Sequence, residues 1–219
     1  MGPAILLTLE LAGLTTAILL LLGVPLAWAL SRARARWSGA LAGVAGALIA
    51  LPLVLPPTVL GFYLLILLGP RGPLAPLFGV TTLAFSFPGL VIGSCLYSLP
   101  FMVQPVRAGF AALGSSAWEA ALTLRAAPLD AFVTVMLPLA RGPILTGALL
   151  SFAHTLGEFG VVMMIGGDIP GKTETLSILI FDDVETLNWS AAGHLAGALA
   201  LVSFLFIWLL LRLERRPWA

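Results

Sequence analysis

The chain has 219 residues, 60% of them hydrophobic and only 10% charged, with a mean hydropathy of +1.08. These values exclude an ordinary soluble globular domain and place the chain in a lipid bilayer. A net charge of +1 says little about partners, because in a membrane protein it is the placement of Lys and Arg along the chain that carries information. The single Cys95 rules out an internal disulfide and reads as a small buried hydrophobe.

Apolar runs long enough to cross a hydrocarbon core, about 20 residues, fall at 5–30, 40–68, 81–104, 142–165 and 192–212. They leave almost nothing for a soluble domain, so 1–219 reads as one all-α integral membrane domain. The first run has no basic stretch before it and carries Arg32, Arg34 and Arg36 after it, which fits an uncleaved anchor with its N-terminus outside. Glu10 lies near the outer end of this run and reaches the interface. Pro52, Pro56, Pro57, Pro88 and Pro100 are expected to kink or break the second and third runs, which is tolerated at membrane depth where the break borders protein or a cavity.

With the sides alternating from an outer N-terminus, the inner loops hold Arg32, Arg34, Arg36, Arg107, Arg125, Arg141, Arg212, Arg215 and Arg216. The outer loops hold only Arg71 and Lys172. This bias predicts five transmembrane helices with the N-terminus outside.

The longest inner connection, 105–141, concentrates charge and turn chemistry. Ser116 and Glu119 have capping-box spacing and predict a short helix ending before Pro128, followed by a second from Asp130 that stops near Leu137-Pro138. Such a pair is either a plain link between spans or a docking surface for a cytoplasmic partner.

In the fourth run, His154 and Glu158 lie one helical turn apart, on a small and polar stripe with Gly147, Ser151 and Thr155. The stripe either packs closely on another helix or lines a pathway with hydroxyl donors. A carboxylate at membrane depth is costly, so the expected role of Glu158 is to pair with His154 or to support a gate where Gly157 and Gly160 loosen the helix.

Directly after this run comes GGDIPGKT, residues 166–173, which fits the spacing of a phosphate-binding loop. The context is wrong for one. A working phosphate loop joins a β-strand to a helix, whereas this segment follows a membrane helix and carries Asp168 where phosphate needs donors. It reads as a tight outer turn leading into a short amphipathic segment near 174–185. No ATP site, nucleophile or metal cluster is expected in the chain.

The run EAALTLRAAPLDAFVTVMLP, from Glu119 to Pro138, resembles the cytoplasmic signature of binding-protein-dependent ABC importer permeases. Glu119, Ala120, Ala121, Val135, Leu137 and Pro138 match that signature, and Arg125 stands where it usually has glycine. LPLVLPPTVLGFYLL at 51–65 and FAHTLGEFGVVMMIGGDIPGKTETL at 152–176 are similar to segments of the molybdate type, over about 5–210 of the chain, with sulfate and tungstate permeases sharing parts of them.

The resemblance implies a type I ABC importer permease fold with cytoplasmic coupling helices, in the cytoplasmic (inner) membrane. It implies a homodimer, two cytoplasmic ATP-binding subunits that hold ATP and Mg, and an extracytoplasmic oxyanion-binding protein. Glu119, Ala120, Ala121, Arg125, Leu137 and Pro138 would couple to the ATPase. Ser151, His154, Thr155, Gly157, Glu158 and Gly160 would line the pathway or its gate. A secondary transporter relaying protons through Glu158 and His154 is the reading from another class, although no second half of the chain is related to the first.

Overall fold

The structure, a computed structural model, describes residues 2–36 and 39–214. Every described regular element is helical. Arg215 and Arg216 lie outside the described residues.

Helix α1 (Gly2–Arg36) runs 35 residues without interruption, with Pro25 inside it. At 1.5 Å per residue it is about 52 Å long, well beyond a hydrocarbon core of about 30 Å. A helix of that length must extend beyond the apolar layer. Helix α2 (Gly39–Ala50) continues into a 3₁₀ turn at Leu51–Leu53, and α3 (Pro57–Leu68) then leaves at a bend of 107°. Pro52 sits within the 3₁₀ turn and Pro57 is the first residue of α3, where a missing amide costs nothing.

The expectation that prolines break the third span does not hold. Helix α4 (Phe87–Leu113) passes through Pro100 and Pro105 uninterrupted, and Pro88 serves at its start, where the Gly89 amide donates to the Ser86 Oγ cap at 3.3 Å. The helix also continues well beyond residue 104 into the inner connection. There α5 (Ser116–Thr123) follows, then α6 (Pro128–Ala131), a π-helical turn at Phe132–Met136, and α7 (Leu137–Leu139). Helix α8 (Arg141–Leu156) re-enters the bundle, breaks over Gly157 to Phe159, and resumes as α9 (Gly160–Gly166). An outer turn leads to α10 (Leu176–Glu185), close to the amphipathic segment expected there, and α11 (Trp189–Glu214) closes the chain.

Three helices are each long and apolar enough to cross a membrane: Gly2–Arg32, Phe87–Leu113 and Trp189–Leu209. Two bent pairs, Ala40–Leu53 with Pro57–Leu68 and Pro128–Leu139 with Arg141–Leu156, raise the number to as many as five.

Helices α1, α4 and α8 form the centre, with α3 against α9 on one side. Lipid is as apolar as leucine, so helices in a bilayer associate through close packing. Gly23 and Gly147 both seat on Met102 of α4, Gly109 receives the ring of Pro143, and Gly93 receives Ile165. One core cluster, from Leu19 to Ala140, gathers the inner ends of α1, α4 and the inner connection. A second, from Leu7 to Ile165, gathers their outer ends with α3 and α9. Helix α11 stands apart and exposes Leu201, Phe204, Leu205, Ile207 and Trp208, an apolar face suited to lipid or to another chain.

The inner connection shows why a glycine is usual where this chain has Arg125. The Ala126 amide donates to the Ala121 carbonyl at 3.1 Å and the Arg125 amide to the Leu122 carbonyl at 2.9 Å, the two bonds of a Schellman C-cap on α5. That cap needs a left-handed residue at Arg125, whose φ is 62°. Arg125 therefore lies beyond α5, and not on it as its spacing from Glu119 suggests. The N-terminus also differs from expectation. Ser115 is the N-cap and makes no side-chain cap bond, so the box between Ser116 and Glu119 does not form. Left-handed geometry costs an L-residue about 1–2 kcal/mol and glycine's extra chain entropy returns about 0.5–1 of that. Arg125→Gly should thus stabilise the permease by roughly 0.5 kcal/mol and Arg125→Val should destabilise it, read as opposite shifts in the thermal-unfolding midpoint of purified protein.

Candidate functional site

The small and polar stripe expected on the fourth run is split between α8 and the break that follows it. Gly147, Ser151, Thr155 and Glu158 are buried, whereas His154 is half-buried. A directed hydrogen-bond chain joins α8 to α4. The Thr155 hydroxyl donates to the Ser151 carbonyl at 2.9 Å, so its oxygen is left to accept from Ser98 Oγ at 2.9 Å. With the Ser98 proton used there, His154 Nδ1, 2.9 Å from Ser98 Oγ, must be the donor. The carbonyl end thus fixes the tautomer and leaves Nε2 as the ring's remaining polar atom. Phe101 stacks on the imidazole with centroids 4.0 Å apart and Tyr97 leans on it at 4.7 Å, which holds the ring in place.

The expected pairing of Glu158 with His154 is absent. Both carboxylate oxygens of Glu158 are buried with no partner at full hydrogen-bond geometry, as is Ser151 Oγ, and the Ser94 hydroxyl beside Glu158 and the Thr15 hydroxyl beside Cys95 are no better aligned. Ser94, Ser98 and Thr15 are polar groups of the core that the sequence reading missed. Ser94 and Ser98 stand four apart on one face of α4, a spacing that could have found them, whereas Thr15 stands beside Thr16 in the first apolar run with no such signal.

Two helix breaks meet beside this cluster. Gly160, which opens α9, lies so close to Pro57, which opens α3, that a Cβ there would approach the proline Cβ to 2.7 Å. Around the junction a cavity of about 610 Å³ is lined by Thr58, Tyr97, His154, Gly157, Glu158 and Gly160, among others. Four of the six residues expected along a pathway are thus brought to one cavity, while Ser151 and Thr155 lie behind it against α4. Backbone leaves helical geometry at membrane depth only where it is buried in protein or borders such a cavity.

In the connection between α4 and α8, α5 has two sides. Trp118 and Ala121 are buried in the inner core cluster, whereas Glu119, Ala120, Leu122, Thr123, Leu124 and Arg125 are exposed. Ala121 therefore reaches into its own chain and is not free to seat in a partner's groove. Leu124, 84% exposed, and Leu129, 74% exposed, flank the Schellman turn, and sequence reasoning missed both. Leu137 is half-buried and Pro138 exposed at the far end of the connection.

The phosphate-loop look-alike is a closed outer turn. Thr173 is fully buried, donates its hydroxyl to the Gly166 carbonyl at 2.8 Å and accepts from the Ile169 amide at 3.2 Å, so the hydroxyl a phosphate loop would offer to a metal ion is spent on the turn. The Ile169 carbonyl accepts the amides of Lys172, Thr173 and Glu174. The turn brings carboxylate oxygens of Asp168, Glu174 and Asp182 within 4.8 Å of one another, a juxtaposition of acids the sequence did not announce.

This geometry is accompanied by clear kinship. Residues 14–218 match the family described as the binding-protein-dependent transport system inner membrane component, and the chain belongs to that family. It is 56% identical over 210 residues to the molybdenum transport system permease protein ModB of Azotobacter vinelandii, covering 94% of this chain and 91% of that one. The Escherichia coli K12 protein of the same name is 36% identical over 220 residues, covering 97% and 94%. Among solved structures, a bacterial alginate ABC transporter in complex with its alginate pentasaccharide-bound periplasmic protein shares the fold, with a TM-score of 0.74 at 16% identity over 98% of this chain and 78% of that chain.

The acidic trio yields a pH prediction. Burial first, then a hydrogen bond shared with Asp168 and the charges of Asp168, Glu174 and Glu185, push the Asp182 carboxyl up to about 6. A carboxyl raised on folding contributes stability below its unfolded pKa and loses it as pH rises through the folded one. The segment from Asp168 to Asp182 should therefore open more readily at pH 7 than at pH 5. Its amide hydrogen exchange, corrected for the intrinsic pH dependence, should show that difference, and Asp182→Asn should abolish it.

Proposed function

We propose that the chain is the membrane-spanning permease of an ATP-driven importer that takes molybdate into the cytoplasm. The observation that carries this is the 56% identity to the Azotobacter permease, which spans both chains almost end to end. The physical layout agrees with it. Two broken helices meet at a cavity bordered by Thr58, Tyr97 and His154, all with polar groups suited to an oxyanion. An apolar, exposed knob at Leu124 stands ready on the inner connection.

In this reading the chain crosses the membrane five times with its N-terminus outside, α2 with α3 and α8 with α9 each making one broken span. Two copies form the pathway along their facing surfaces. Two cytoplasmic subunits bind ATP and Mg and dock on Glu119, Ala120 and Arg125, with Leu137 and Pro138 at the end of the contact and Ala121 supporting it from behind. An extracytoplasmic oxyanion-binding protein delivers the cargo. His154, Gly157, Glu158 and Gly160 form the gate, and Ser151 and Thr155 hold its hydrogen-bond chain. The permease takes no chemical step itself; the work of ATP hydrolysis arrives through the docking helix.

The test is uptake by vesicles holding the permease with its ATP-binding and anion-binding partners. Labelled molybdate should enter only with ATP, and unlabelled molybdate should compete better than sulfate. Preferential competition by sulfate or tungstate would reassign the cargo within the same class. ATP-independent uptake that follows a proton gradient and disappears in Glu158→Gln would instead make the chain a secondary transporter.

Two further outcomes follow from the layout. A cysteine at Lys172 should react with an impermeant thiol reagent from outside and one at Arg125 should not. Ala120→Trp adds bulk on the exposed face of α5 and should weaken copurification of the ATPase about tenfold or more, since overpacking a contact costs about 1–3 kcal/mol.

A further inference from the structure

Helix α5 is tied to the membrane bundle by a feature that the docking role does not require. Its third residue, Trp118, turns inward and meets Trp28 of α1 with ring centroids 5.2 Å apart. Trp28 in turn meets Phe110, at the inner end of α4, at 5.0 Å, and Phe132, in the π-helical turn, at 5.8 Å. The Arg32 guanidinium lies over both indoles, 4.8 Å from Trp28 and 4.6 Å from Trp118. Four segments separated along the chain thus converge on one stack of rings beneath the Arg32 guanidinium.

Chain connectivity alone would join α5 to the bundle through α4, from which it is separated by Gly114 at a φ of 67°. That glycine makes the covalent link compliant. On the other side of α5, the left-handed turn at Arg125 leads to α6. The stiff connection is the lateral one, between the indoles of Trp118 and Trp28 with Arg32 above them. A guanidinium sandwiched on aromatic faces is directional as well as attractive, because it must stay over the rings to keep the interaction.

We propose that Trp28, Arg32 and Trp118 form the joint through which movement of the docking helix is passed to α1, and so to the packed centre of α1, α4 and α8. Arg32 is a positioning residue here. It acts through the two indoles it covers and keeps them moving as one body. The joint rests on the reading of α5 as the ATPase docking element, yet it assigns the opposite side of that helix. The exposed side, with Glu119, Ala120 and Leu124, determines whether the partner binds. The buried side, with Trp118, determines whether binding does anything to the membrane helices. A loose joint therefore leaves the complex assembled and wastes ATP, whereas a damaged docking face dissociates it.

The experiment uses the full transporter, with its ATP-binding and anion-binding partners, in vesicles. Arg32→Gln removes the cation, Arg32→Lys retains one over the rings, and Trp118→Leu removes a ring while leaving every charge in place. Arg32→Gln should copurify with the ATPase at the wild-type yield and still hydrolyse ATP, while anion imported per ATP hydrolysed falls about fivefold. Arg32→Lys should recover most of that ratio, and Trp118→Leu should lower it as Arg32→Gln does. An unchanged ratio in Arg32→Gln and Trp118→Leu would overturn the joint. So would a parallel loss of copurification in both variants, which would make the stack part of the docking surface, or an Arg32→Lys variant no better than Arg32→Gln. The docking reading is judged separately by Ala120→Trp: if that change leaves copurification intact, docking lies elsewhere, whatever the Arg32 series shows.

Discussion

Close packing of helix on helix is what the rest of this structure depends on, because in a bilayer the apolar effect that drives a soluble core does not distinguish lipid from leucine. The centre is accordingly built where small residues let backbones approach. Met102 is held between Gly23 of α1 and Gly147 of α8, and Gly109 admits the ring of Pro143. The same economy operates at the outer ends, where Gly61 takes the side chain of Met164 and Gly166 that of Leu90. Lining the two faces of α4 with such contacts lets α1 and α8 pack on it together, and it holds the polar residues of α4 and α8 close enough for Ser98 to bridge Thr155 and His154.

Once packing sets the backbone positions, the broken helices acquire meaning. Backbone groups released at a break need partners that lipid cannot provide, so a break must be covered by protein or open onto a cavity. Here the breaks before α3 and before α9 cover each other through Pro57 and Gly160, and the space they leave is bordered by hydroxyls, an imidazole and a buried carboxyl. Proline by itself does not create such a place. Pro100 and Pro105 lie inside α4 and leave it continuous, because each removes only one donor and neighbouring packing holds the helix straight enough to continue.

Much of this was legible in the sequence, for identifiable reasons. Long apolar runs gave the helices of α1, α4 and α11, and the Gly-Pro-Gly punctuation gave the outer turn before α10. The order Gly157, Gly160 and the spacing of His154 and Glu158 pointed to the cavity. What the sequence did not reveal is which face each residue presents. Ala121 looked like a docking residue because it belongs to a recognisable run, yet it is buried, while the exposed Leu124 and Leu129 went unmarked. A helix of eight residues between two turns has too little periodicity to show its buried side. The meeting of Trp28, Arg32 and Trp118 escaped notice for a related reason: it is a tertiary event across some 90 positions of chain, and each residue alone is an ordinary interfacial one.

Arg125 shows what a signature position encodes. The usual glycine is there because a Schellman cap demands a left-handed backbone, and this chain meets the demand with arginine at φ 62°, leaving both cap bonds in place. The requirement is therefore on conformation, and the side chain is free to serve something else. The cavity follows the converse logic. Its backbone breaks are fixed by Pro57 and Gly160, and its polar lining sets the hydroxyls of Thr58 and Tyr97 and the His154 ring beside the Glu158 carboxyl. In the proposed importer such a lining selects a class of cargo at most, and finer choice among its members belongs to a site with enough fixed donors to tell one anion from another.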